Sequence, residues 1–133
     1  MGYVKYAFVA LIGWGFWAIG SKILTRHLNT VSVTFWISFF SILFLSIFLL
    51  FRRNLMVNTH VLYAVPIGLV SLIAILGFYK ALKMGPSSVV LPLTNLYLVI
   101  PVLFGFIVLK ESVTLTRILG IIFAILATIL LTL

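Results

Sequence analysis

The chain has 133 residues, 65% of them hydrophobic, with nine Lys and Arg against a single acid and no cysteine. Soluble domains are roughly 45–50% apolar, so this composition and a mean hydropathy of +1.39 exclude a soluble core under a polar coat. A formal charge of +8 would suggest nucleic acid in a soluble protein. Here the basic residues punctuate gaps between apolar runs, as interfacial anchors do, and no nucleic-acid partner is expected.

The first apolar run, Tyr6 to Ser21, is bracketed by Lys5 and Lys22, whose stems can reach outward from a span of about 4–25. Ala18-Ile19-Gly20 would also pass as a signal-peptide cleavage site, but the run is longer and more aromatic than a signal core. A second run, Leu28 to Phe51, ends at Arg52-Arg53 and supplies a span of about 29–51. Its Thr34, Ser38 and Ser41 make a stripe of small hydroxyls suited to close helix approach. The third span covers about 60–82, with Ser71 at its centre and Lys80 and Lys83 at its end.

Met84-Gly85-Pro86-Ser87 reads as a compact turn: Gly85 in a left-handed position, Pro86 to stop the third helix, Ser87 to cap the fourth. The fourth span, about 87–109, ends at Lys110-Glu111, and the fifth covers about 114–132. Gly120, Ala124 and Thr128 give the fifth a smooth face for another helix. Glu111, the only acid, is better placed at the N-terminus of the fifth span than at the C-terminus of the fourth, and is expected to cap it. The expected fold is all-α: one integral-membrane domain, residues 1–133, of five transmembrane helices.

Within the fourth span Pro92 and Pro101 lack the N–H that a helix needs, freeing the carbonyls of Ser88 and Tyr97. Hydrocarbon cannot satisfy such groups, so the helix is expected to border protein or a polar cavity. Asn95 falls about 12 Å along it at 1.5 Å per residue, near mid-membrane. An intramembrane asparagine either hydrogen-bonds a neighbouring helix or serves function. Trp14, Trp17 and Ser21 share a face of the first helix, at i, i+3 and i+7. Trp14 is about 13 Å deep by the same rise, beyond the aromatic belt, so it either packs or lines a path. Candidate substrate-binding residues are therefore Trp14, Trp17, Ser21, Ser71, Ser88, Pro92, Asn95 and Tyr97. His27 and His60 stand apart near loops, and no nucleophile–base pair or phosphate-binding loop occurs, so neither a metal nor a cofactor nor enzymatic activity is expected.

Five spans put the termini on opposite sides of the membrane, so a fused copy would insert upside down. Inverted repeats of that kind build many transporters, with the site at the repeat interface. Lys5, Arg52, Arg53, Lys110 and Arg117 fall on one side, and Lys22, Arg26, Lys80 and Lys83 on the other. That near-tie leaves two readings: dual insertion giving an antiparallel homodimer, or one orientation set by the first helix.

Ala81-Leu82-Lys83-Met84-Gly85-Pro86-Ser87-Ser88-Val89 resembles the helix 3–4 junction of EamA-type domains of the drug/metabolite transporter superfamily. Pro101-Val102 is similar to the proline of their fourth helix, and Leu109-Lys110-Glu111-Ser112-Val113-Thr114, with Leu119-Gly120, to their helix 4–5 junction. Gly13-Trp14-Gly15 and Lys22 fit their first helix more loosely. The resemblance covers the whole chain as one five-helix repeat, where most members have two. It implies a multi-pass carrier of a small metabolite or drug in a bacterial or archaeal inner membrane, with a cavity between helices 1, 3 and 4 of both repeats. The arginine that many relatives carry in helix 2 is replaced here by Thr34-Phe35-Trp36-Ile37-Ser38, and the first helix lacks the carboxylate of the smaller multidrug members. The expected function is alternating-access transport of a small metabolite or drug-like solute, with an amino-acid-like or other amine-bearing cargo suiting Asn95 and the freed carbonyls, by an antiparallel homodimer among membrane lipids. The alternatives are a subunit of a heterodimeric lipid-linked-sugar flippase and a non-transporting membrane assembly factor.

Overall fold

The computed structural model describes residues 2–52, 55–112 and 114–132, and among these every regular element is helical. Arg53, counted among the basic anchors, and Val113, in the last junction, lie outside the described residues. Five stretches are long and apolar enough to cross a membrane: Gly2–His27, Thr30–Arg52, Thr59–Met84, Ser87–Ile107 and Leu115–Thr132. Most of their large apolar side chains are exposed, from Phe8 on the first to Leu130 on the last. Water would not tolerate that surface; acyl chains solvate it. The protein is an all-α, multi-pass membrane protein.

Contacts group the chain into two units, Met1–Met84 and Gly85–Leu133. The first contains α1 (Gly2–His27), α2 (Thr30–Arg52) and α3 (Ala64–Met84), the last preceded by a 3-10 turn over Thr59–Tyr63. Asn29 begins α2 by accepting the Ser32 N–H at 2.8 Å, and Asn58 begins the 3-10 turn by accepting the His60 N–H at 3.1 Å. Each thereby satisfies one of the N–H groups that a helix start leaves open.

Burial in this unit is one-sided. Ala18, Ser21 and Thr25 come from the C-terminal half of α1, Val33 and Thr34 from the start of α2, and Tyr79 and Leu82 from the end of α3. Antiparallel neighbours place those three stretches at one end of the bundle, and there it packs. Thr25 donates to the Lys22 carbonyl at 2.9 Å and Thr34 to that of Thr30 at 2.9 Å, so two of the buried hydroxyls are paid back to their own helices. Exposed Ser41 does the same, donating to the Ile37 carbonyl at 2.8 Å.

Lys22 does not extend to the headgroups as its position suggested. Half-buried, it donates to the Leu82 carbonyl near the C-terminus of α3. Lys83 reaches the Leu28 carbonyl at 3.5 Å. A helix C-terminus presents unpaired carbonyls and partial negative charge, and an ammonium answers both.

The second unit contains α4 (Ser87–Asn95), a 3-10 turn over Leu96–Leu98, α5 (Val99–Ile107) and α6 (Leu115–Thr132). The fourth span is thus two α-helices and a tighter joint. Pro92 lies inside α4, leaving the Ser88 carbonyl without its helical N–H. Pro101 lies in the first turn of α5, which runs on from the 3-10 joint through helical backbone at Leu98, so its missing N–H leaves the Tyr97 carbonyl without an i+4 donor. The Tyr97 carbonyl is not idle, because the Val99 N–H turns toward it and toward that of Leu96.

The turn between spans differs from expectation. No described glycine has positive φ, so Gly85 does not take the left-handed position. Pro86, extended at φ −67° and ψ 138°, stands at the N-cap with no side-chain bond, and Ser87 is already helical.

Candidate functional site

An open-sided groove of about 630 Å³ runs through the second unit, lined by α4, the 3-10 joint, α5 and α6. Pro92, Asn95, Pro101 and Val102 line one wall, and Gly120, Ala124 and Thr128 the other. Thr94 stands just before the 3-10 joint: its hydroxyl is shared between the carbonyls of Val90 at 2.8 Å and Leu91 at 3.1 Å, competing with the backbone ladder just past Pro92. The helix tightens to 3-10 at the next turn, and Asn95 ends facing the groove.

Gly120 and Ala124 keep the α6 wall low. A Cβ at Gly120 would meet nothing within 4 Å, so the space before it is open. Thr128 is buried and donates to the Ala124 carbonyl at 2.9 Å, which leaves Asn95 as the free polar group along the middle of the walls.

Glu111 does not cap α6. Thr114 stands before that helix, with the Arg117 N–H 3.4 Å from its hydroxyl. Glu111 instead folds back over α5, its N–H bonding the Gly105 carbonyl at 3.1 Å and its carboxylate lying on Gly105. Gly105 is buried, and a Cβ there would come within 3.3 Å of the Glu111 carboxylate. Lys110 makes the reversal with φ 52°, the only described non-glycine residue in the left-handed region. Arg117 donates to the Ser112 carbonyl at 2.7 Å, and both charged residues line the same groove.

Of the candidate residues, Pro92 and Asn95 meet in this groove. Tyr97 and Ser88 are exposed outside its lining. In the first unit Trp17 stacks on Phe78 at 5.4 Å and tilts against Tyr79 at 5.9 Å. Ser21 is fully buried beside the Tyr79 hydroxyl, without a hydrogen bond of good geometry to its Oγ. Trp14 is 66% exposed on α1, and Ser71 is exposed on α3. Sequence reasoning passed over Tyr79 because it sits beside Lys80 and reads as interfacial. It passed over Arg117 because a basic residue between spans reads as an anchor.

The model of the EamA-like transporter family matches residues 1–133. The chain belongs to that family. No curated protein and no solved structure matches it. An EamA-like transporter of the drug/metabolite class moves a small molecule through the bilayer and is not an enzyme. Among the described residues, no group of three or more His, Cys, Asp or Glu could hold a metal. In this EamA-like transporter, the groove beside the interrupted fourth span holds the candidate residues Pro92 and Asn95.

Proposed function

We propose that this EamA-like transporter carries a small amine-bearing, amino-acid-like solute across a bacterial or archaeal inner membrane by alternating access. A second copy, inserted upside down, completes the path. One observation carries the reading: the fourth span is interrupted about 12 Å from its start, where Pro92 and Asn95 face an open groove. Carriers place cargo sites at such discontinuous helices near the midplane. Asn95 orients the cargo by hydrogen bonds within the groove, while the Ser88 carbonyl, as an acceptor for an ammonium, and Trp14, as apolar surface, lie outside its lining and are assigned to contacts made as the second copy completes the path. Tyr97, Trp17, Ser21 and Ser71 are assigned to packing or to contacts with the second copy.

The test is flux in proteoliposomes. Asn95→Leu keeps the helix apolar and insertable but removes the one uncharged polar side chain free to orient cargo. Flux falls about tenfold or more, the scale of a lost intramembrane hydrogen bond plus its orienting effect. Unchanged flux with normal insertion would return Asn95 to a packing role and favour the assembly-factor reading. The first span has no acid, so exchange or uniport is expected, and flux that depends strictly on a pH gradient would overturn that. Reporters fused to the C-terminus should appear on both membrane faces if the homodimer is antiparallel. The groove's open side favours one other reading, a lipid-linked cargo handled with a different small subunit; copurification of that subunit would support it.

A further inference from the structure

We infer that Glu111 and Arg117 form a recognition mouth for a zwitterionic group, an ammonium beside an acid, on a cargo whose apolar body enters the groove. This rests on the reading of the groove as the cargo path. Only four of the groove's lining residues are polar: Asn95, Glu111, Arg117 and Thr128. Thr128 is spent on its own helix, so Glu111 and Arg117 stand at one end of walls whose remaining polar side chain is Asn95. From Arg117 to Thr128 the α6 wall runs about 16 Å at 1.5 Å per residue, long enough for an apolar side chain or tail.

Two local costs hold this arrangement in place. Lys110 adopts a left-handed φ that disfavours any L-residue by about 1–2 kcal/mol, where a glycine would be at ease. Arg117 puts a cation in the first turn of α6, the end at which the helix dipole prefers an anion. Glu111 would be welcome at that end, yet the Lys110 turn carries it away and seats it on Gly105. Among the described residues no ion pair joins Glu111 to Arg117, although both border one space. A left-handed residue just past a helix end is held by its surroundings, here the bond from the Glu111 N–H to the Gly105 carbonyl. The guanidinium sits on the carbonyl of Ser112, the chain neighbour of Glu111, so two opposite charges border one space and suit a ligand that carries both. The carboxylate takes the ammonium, and the guanidinium N–H groups not used on Ser112 take the acid, the stronger class of hydrogen bond.

Free amino acids and amine phospholipids share this chemistry, and the test separates them. Purified protein is titrated with leucine, leucine amide and N-acetylleucine, which carry both charges, the ammonium only and the acid only. In parallel it is held in nanodiscs of phosphatidylethanolamine or phosphatidylglycerol, and thermal stability reports binding throughout. The zwitterion should bind about tenfold tighter than either single-charge analogue. Glu111→Gln should bring leucine down to the level of N-acetylleucine, and Arg117→Gln to that of leucine amide. If only the phosphatidylethanolamine discs stabilise, and Glu111→Gln abolishes the effect, the same mouth reads a lipid headgroup. Equal binding of all three solutes with no lipid preference, or binding by none, overturns the inference in the unaltered protein, whatever the variants do. Loss of flux in Asn95→Leu alongside such a result would leave the cargo path standing and remove only its charged mouth.

Discussion

The two units solve the problem of polar groups in oil in opposite ways. In the first, Thr25 and Thr34 return their hydroxyls to their own helices, Lys22 turns inward to a helix end, and Tyr79 is covered to 1% exposure between Trp17 and Ser21. In the second, Pro92 and Thr94 break a helix, and Asn95, Glu111 and Arg117 are left along an open groove. The first unit behaves as a packed support. The second also returns Thr94 and Thr128 to their own helices but leaves Asn95 and the Glu111 carboxylate along its groove, as the proposed cargo site requires. The contrast predicts that damage to the first unit is read in stability, and damage to the second in flux.

The largest expected effect tests the support. Leu82 is fully buried at the packed end of α3, so Leu82→Ala should destabilise the protein by about 2–4 kcal/mol in reversible unfolding, with flux per folded molecule unchanged. A proportionate loss of specific flux would dissolve the division of labour. Next, Gly120→Leu projects into open groove space, so it should cut flux about fivefold or more at no steric cost to the fold. Normal flux in that variant would mean that cargo does not use the groove. Lys22→Met removes the ammonium from the end of α3 and should lower stability by about 1 kcal/mol, without altering cargo selectivity. The smallest effect has the opposite sign. Lys110→Gly relieves the left-handed strain and should raise stability by up to about 1 kcal/mol, as seen by a higher unfolding midpoint. If that gain comes with looser cargo discrimination, the strain serves to hold Glu111 in place.

The interrupted fourth span was legible because proline chemistry is local: a missing N–H at Pro92 leaves a carbonyl open whatever surrounds it. The same holds of Pro101 and the Tyr97 carbonyl, whereas the tightening of the chain into a 3-10 joint just before it depended on the neighbouring turns. Trp14, Trp17 and Ser21 share a helical face, as spacing alone requires, yet Trp17 and Ser21 meet Tyr79 while Trp14 stays exposed. Helical period says which residues share a face. It does not say how much of that face a neighbour covers.

The sequence alone determined the five apolar spans, the all-α class and the family, because bilayer thickness and the absence of water impose lengths and hydrogen bonding that composition must obey. The fate of each charge was decided in three dimensions. Whether Lys22 finds a carbonyl, or Glu111 caps a helix or leans on Gly105, depends on which chain segments arrive beside it. A long side chain can reach several partners, and only the packed backbone selects one.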